Sequence, residues 1–163
     1  MPELTAYHEC GHAVMALLMG AKVGQMTIEP DWDDGPARTG DAEVNWRHAR
    51  LPQKEVARRM IRVCVAGPLA ELIYNDEPFD PAWFLQNADE WSSDFDLAWE
   101  LSEMLQAERA KRLALIMQLA ETVYHELNSP RVWTAVQNLA DHLLAHETLE
   151  SEEIEEIVSQ WLG

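Results

Sequence analysis

Apolar residues recur at helical spacing along most of this chain, with one short interval of alternation. Leu4, Ala6, Tyr7, Cys10, Ala13, Val14, Leu17 and Leu18 predict a largely buried helix, opened by Pro2 and Glu3 and stopped at Gly20. Lys22 to Glu29 then alternates up to Pro30, which predicts a strand with Val23, Met26 and Ile28 as its apolar positions. Asp31 to Gly40 is rich in Asp, Gly and Pro and reads as a loop, and Ala42 to Trp46 predicts a second strand. The pair makes a small antiparallel sheet, whose edge either holds an extended peptide by strand addition or simply covers the core.

From Pro52 to Tyr74 the positions Val56, Met60, Val63, Cys64, Ala66, Leu69, Ala70 and Ile73 predict another helix. Gly67 and Pro68 inside it predict a kink, or a break into two helices, where backbones come close. Asn75 to Trp91 reads as an acidic linker whose Phe79, Trp83, Phe84 and Trp91 pack onto the body or form a flap. Ser92 or Ser93 is expected to cap a helix beginning at Asp94. The pattern resumes through Leu113, Ile116, Ala120, Val123 and Leu127, then over Arg131 to His146 and Ser151 to Leu162. The expected fold is mainly α, multihelical, with a small antiparallel β element.

Composition narrows the class. The 163 residues fit one domain, 1–163, with room for a core. A net charge of −17 argues against nucleic acid as a partner, because phosphates would be repelled. No run is long and apolar enough for membrane insertion, and no basic segment precedes the first apolar run as a secretion signal requires. Cys10 and Cys64 lie in apolar helical surroundings and read as reduced core residues of a cytoplasmic protein.

The first helix carries the chemistry. His8, Glu9 and His12 form the pattern H-E-x-x-H, and two histidines four residues apart project from one helix face toward a common point. Both imidazoles can reach one Zn²⁺, while Glu9 is placed to act on a metal-held water rather than as a ligand. Cys10, two positions from each histidine, points away from that face. Such polar groups in so apolar a helix need a partner, and a metal accounts for all three.

A third ligand is required. Two candidates stand: Asp94, at a helix N-terminus whose dipole favours a carboxylate, and Glu71, in the apolar segment Ala66-Gly-Pro-Leu-Ala-Glu. Asp94 otherwise reads as an ordinary first-turn acid, and Glu71 as a partner of Arg58 or Arg59. A rival pair, His142 and His146 with Glu147 beside the second, has the same spacing without the order that sets a base next to the water. His48 and His125 are isolated.

Taken in order, these segments resemble the proteolytic domain of the FtsH-type (M41) family of ATP-dependent zinc metalloproteases. Thr5-Ala-Tyr-His-Glu-Cys-Gly-His-Ala-Val and the strand Met26-Thr-Ile-Glu-Pro carry the likeness first. Ala66-Gly-Pro-Leu-Ala-Glu is similar to the family's A/G-G-R-x-A-E segment, Ser92-Ser-Asp-Phe-Asp-Leu-Ala to its S/N-D-x-x-x-A segment, and Leu143-Leu-Ala-His-Glu-Thr-Leu to its closing L-L-x-x-E-T-L pattern. The resemblance implies an FtsH protease-domain-like fold, zinc on His8, His12 and Asp94, Glu9 as general base, and Glu71 as a supporting residue.

It departs from the family at several points. Pro68 stands where an arginine is usual and Cys10 where an alanine is usual; Leu105 leads almost directly to Arg109 where the family has a long segment; and no G-x-x-x-x-G-K-[ST] motif occurs. The expectation is a zinc metalloendopeptidase acting on peptides or unfolded protein without its own ATPase, as a monomer or homo-oligomer. The alternatives are a zinc-binding or partner-binding module of the same fold that lacks turnover, and a hydrolase of non-peptide amides.

Overall fold

The computed structural model describes residues 2–29 and 41–162. Seven α-helices and a three-stranded antiparallel sheet are present among them: α1 (Pro2–Leu18), β1 (Lys22–Thr27), β2 (Asp41–Asn45), α2 (Gln53–Tyr74), α3 (Pro81–Gln86), α4 (Ser92–Ser102), α5 (Arg109–Leu127), α6 (Pro130–His146), β3 (Thr148–Leu149) and α7 (Ser151–Leu162). The fold is mainly helical with a small β element, as the periodicity requires. The loop expected at Asp31 to Gly40 lies outside the described residues.

Helix α1 is the spine. Ala6, Cys10, Ala13, Val14, Met15 and Ala16 are fully buried, and α1 packs along α2 on one side and α6 on another. Small residues set how close α1 and α2 approach. A Cβ on Gly11 would come within 2.6 Å of the Ala66 carbonyl oxygen and 2.7 Å of Ala70 Cβ, so only glycine fits at that crossing. The close approach expected around Gly67 is thus present, but α2 is not broken there: it runs unbroken through Pro68. The C-terminus of α1 is tied down by Arg59, whose Nη1 donates to the Met19 carbonyl and whose Nε meets Glu55 at 2.9 Å. Arg59 is therefore engaged away from Glu71.

The sheet order is β2-β1-β3, so β2 is an edge strand among the described residues. Strand β1 does not alternate strictly: its register shifts between Val23 and Met26, and this bulge lets two residues three apart both turn into the core, at 1% and 0% exposure. The third strand was not anticipated, since two residues are too few to show a period. Met26 and Thr27 pair with Leu149 and Thr148.

The segment read as a linker is ordered structure. Asp80 caps α3 by accepting from the Ala82 N–H, and a 3₁₀ turn over Ala88–Trp91 follows. Phe84 and Trp91 stack with centroids 4.3 Å apart, and Trp91 Nε1 donates to the Phe84 carbonyl at 3.2 Å. Phe84 and Trp91 pack onto the body at 2% and 6% exposure, and Phe79 packs against them half-buried, whereas Trp83 is exposed at 39%. The chain passes from this turn straight into α4, so Ser92 already has helical dihedrals and Trp91 holds the N-cap position without a side-chain cap. Neither Ser92 nor Ser93 caps the helix. After α4 the short connection to α5 is closed by Arg112, which lies 3.8 Å over the Trp99 ring and bonds the Trp99 carbonyl and Ser102 Oγ.

Candidate metal centre

Three elements meet at one point. Helix α1 supplies His8 and His12, and α4 supplies Asp94 from its first turn. Helix α2 lies beneath them with Val63, Gly67 and Glu71 spaced four apart on one face. Each of those residues has a separate task. His12 Nδ1 donates to the Val63 carbonyl at 2.6 Å. His8 Nδ1 donates to Glu71 Oε2, also at 2.6 Å. Gly67 leaves the space between, since a Cβ there would collide with the Nε2 atoms of both histidines.

These bonds decide the tautomers. A carbonyl and a carboxylate only accept, so both histidines carry their ring proton on Nδ1 and turn Nε2 toward each other and toward Asp94. The two Nε2 atoms are 3.1 Å apart; His8 Nε2 is 3.0 Å from Asp94 Oδ2, and His12 Nε2 is 3.4 Å from Asp94 Oδ1. Tetrahedral ligands at zinc distances stand about 3.3 Å from one another. The donor set and its spacing fit a metal. His8, His12 and Asp94 are also the group of potential ligands that converges among the described residues.

The electrostatics carry the same demand for positive charge. Burial alone would lower the His8 pKa, but hydrogen bonds to Asp94 and Glu71 outweigh it and hold it up at about 10. Burial would raise Asp94, yet the neighbouring His12 and His8 rings hold its carboxyl well below the usual carboxylate range. A proton on His8 Nε2 therefore satisfies the cluster when no metal does so, because three acceptors otherwise face one another in a partly buried site.

The centre opens into a cavity of about 450 Å³ lined by Glu9, Glu90, Trp91, Ser93, Val44 and Leu97, among others. Glu9 thus lines the same cavity as both histidines. Glu71 lies behind His8, bonded to its Nδ1, and is outside the converging group, so the two candidates separate: Asp94 faces the convergence point and Glu71 holds the His8 ring. Cys10 is buried and outside the cavity lining, whereas Cys64 contributes to it; both are free thiols whose pKa is raised by burial. The rival pair is built differently, with His142 and His146 exposed and Nδ1 of His142 donating to its own helix at Asn138.

Several contributors were not foreseen. In the sequence Gly67 reads only as a helix interruption, although its spacing of four from both Val63 and Glu71 is a usable signal. Val63 acts through its backbone and has no signature in side-chain chemistry. The chain matches no protein-family model and no curated protein. No helix among the described residues is long and apolar enough to cross a membrane.

Proposed function

We propose that this chain is a zinc-dependent peptidase with an FtsH-type (M41-like) protease domain. The observation that carries the proposal is the convergence of two tautomer-fixed Nε2 atoms and the Asp94 carboxylate at zinc-ligand spacing, with Glu9 on the adjoining cavity wall. A zinc ion held there supplies a Lewis acid for a carbonyl group and an acidified water. The residues of the chain do the rest. Glu9 takes the proton of the attacking water and returns it to the leaving amine. Glu71 and the Val63 carbonyl keep His8 and His12 in their ligand tautomers. The edge strand β2, with Val44 in the cavity wall, offers backbone groups to an extended peptide, which favours a peptide over a small amide as substrate.

Metal analysis paired with cleavage of unfolded casein tests this reading. The expected result is about one zinc per chain, lost in Asp94→Ala and weakened roughly 10- to 100-fold in Glu71→Gln. Cleavage falls roughly 10²- to 10⁴-fold in Glu9→Gln while zinc stays bound. Zinc binding by a wild-type chain that cleaves no peptide would assign the binding-module reading instead.

A further inference from the structure

The metal cavity shares walls with two others of opposite charge. Through Val44 it adjoins a cavity of about 840 Å³ between the β1–β2 hairpin and the start of α2, whose lining includes Arg47, Arg50, Trp46 and one carboxylate, Glu43. Through Glu90 and Trp91 it adjoins a cavity of about 230 Å³ that carries Glu71, Glu77 and Glu90 with Trp83 and Phe84, and no cation among the described residues.

The basic end is not a sampling of an evenly charged surface. Seven of the chain's 12 Lys and Arg residues are Lys22, Arg47, Arg50, Lys54, Arg58, Arg59 and Arg62, and residues 47–62 hold a single acid, Glu55, in a chain of net charge −17. Arg59 and Arg62 are engaged at the end of α1, with Met19. Lys22, Arg47, Arg50 and Lys54 are exposed. Lys22 pairs across the hairpin with Asn45, which lines the basic cavity, and Lys54 directly follows the lining residue Gln53. Arg50 is held there at φ 53° and ψ 41°, a left-handed conformation uncommon outside glycine.

Val44 of β2 lines both cavities, so a peptide laid along β2 would run from the metal centre into this one. We infer that the cleft selects its peptide by charge, the arm that follows β2 carrying Asp or Glu side chains that Arg47 and Arg50 receive. Guanidinium groups suit this role, because their planar donors match a carboxylate and stay charged at any working pH. An overall acidic protein would otherwise repel such a segment, so the local reversal of sign decides where it can sit. The inference rests on the peptidase reading for its substrate, but its binding step is measurable without turnover.

The probes are four fluorescent peptides of common sequence, with a Glu pair or a Lys pair on either the N-terminal or the C-terminal side of a central apolar stretch. Binding is followed by anisotropy on zinc-loaded Glu9→Gln protein, and kcat/KM on the wild type. At low salt one placement of the Glu pair binds about tenfold tighter than its Lys counterpart. That preference disappears in Arg47→Glu/Arg50→Glu and fades at high salt. It persists in Lys111→Glu/Arg131→Glu, which has the same net charge with the reversals elsewhere. Equal binding of Glu and Lys peptides in both placements, or a preference that survives reversal of Arg47 and Arg50, overturns the inference. A preference in binding with no cleavage by the wild type leaves the acidic-arm site standing and removes the peptidase reading.

Discussion

Helices α1 and α6 each carry two histidines four residues apart, and only one pair is organised as a ligand set. On α1 the rings of His8 and His12 lie 4.7 Å apart at 81°, with both Nδ1 atoms spent on Val63 and Glu71 and both Nε2 atoms turned to Asp94. On α6 the rings of His142 and His146 lie 6.4 Å apart at 32° in exposed positions, with His142 bonded back to its own helix. Glu147, which follows the second pair, is a left-handed C-cap at φ 64° whose carbonyl accepts from Ile28 N–H. Spacing brings two imidazoles to one side of a helix. A second helix must then fix their tautomers and a third must add a carboxylate.

The strongest way to break this contrast is to remove one member from each pair. His8→Ala or His12→Ala is expected to lower zinc affinity more than 100-fold, since each takes a ligand away. His142→Ala and His146→Ala should leave zinc stoichiometry and affinity unchanged. Titration calorimetry with a competing chelator reads the difference; comparable losses from the two helices would erase the distinction.

A smaller effect comes from the glycines under α1. In Gly67→Ala the new methyl meets the tips of two side chains, which can turn aside. Zinc affinity should drop about tenfold or more, and the metal-free fold should lose about 1–3 kcal/mol, because turning the rings aside breaks the buried bond of His12 to the Val63 carbonyl. In Gly11→Ala the methyl meets the backbone of Ala66, which cannot turn aside, so the cost falls on the fold at about 1–3 kcal/mol. Thermal melts and zinc titrations on both variants separate ligand displacement from helix displacement.

The last test is a pH dependence of the metal-free protein. His8 is raised by folding from 6.5 to about 10, so its bonds to Asp94 and Glu71 stabilise the fold fully below pH 6.5. That contribution is lost as pH rises from 6.5 through about 10. In the presence of chelator, Tm should fall over this interval in the wild type and much less in His8→Gln. A matching fall in both proteins would place the titrating group elsewhere.

Much of this was legible beforehand. Six of the seven helices among the described residues are long or strongly periodic enough to read directly; α3, at six residues, spans too few turns to show a period. The short β3 and the bulge in β1 escaped for the same reason, because a period needs several repeats. His8, Glu9, His12 and Asp94 were found as residue types in a pattern, and the separation of Asp94 from Glu71 was not.

Local spacing suffices to place two histidines and a glutamate on an apolar helix, because i, i+4 geometry is a property of the helix alone. The sequence by itself also determined that the chain is mainly helical and strongly acidic. The tertiary structure decided which acid faces the histidines, as Asp94 comes from 86 residues beyond His8 and Glu71 from 63. Packing also made Gly67 and the Val63 carbonyl part of the centre, and gathered Arg47 and Arg50 beside it. Those choices depend on how α1, α2, α4 and the hairpin pack, and contacts between distant segments leave no local period in the chain.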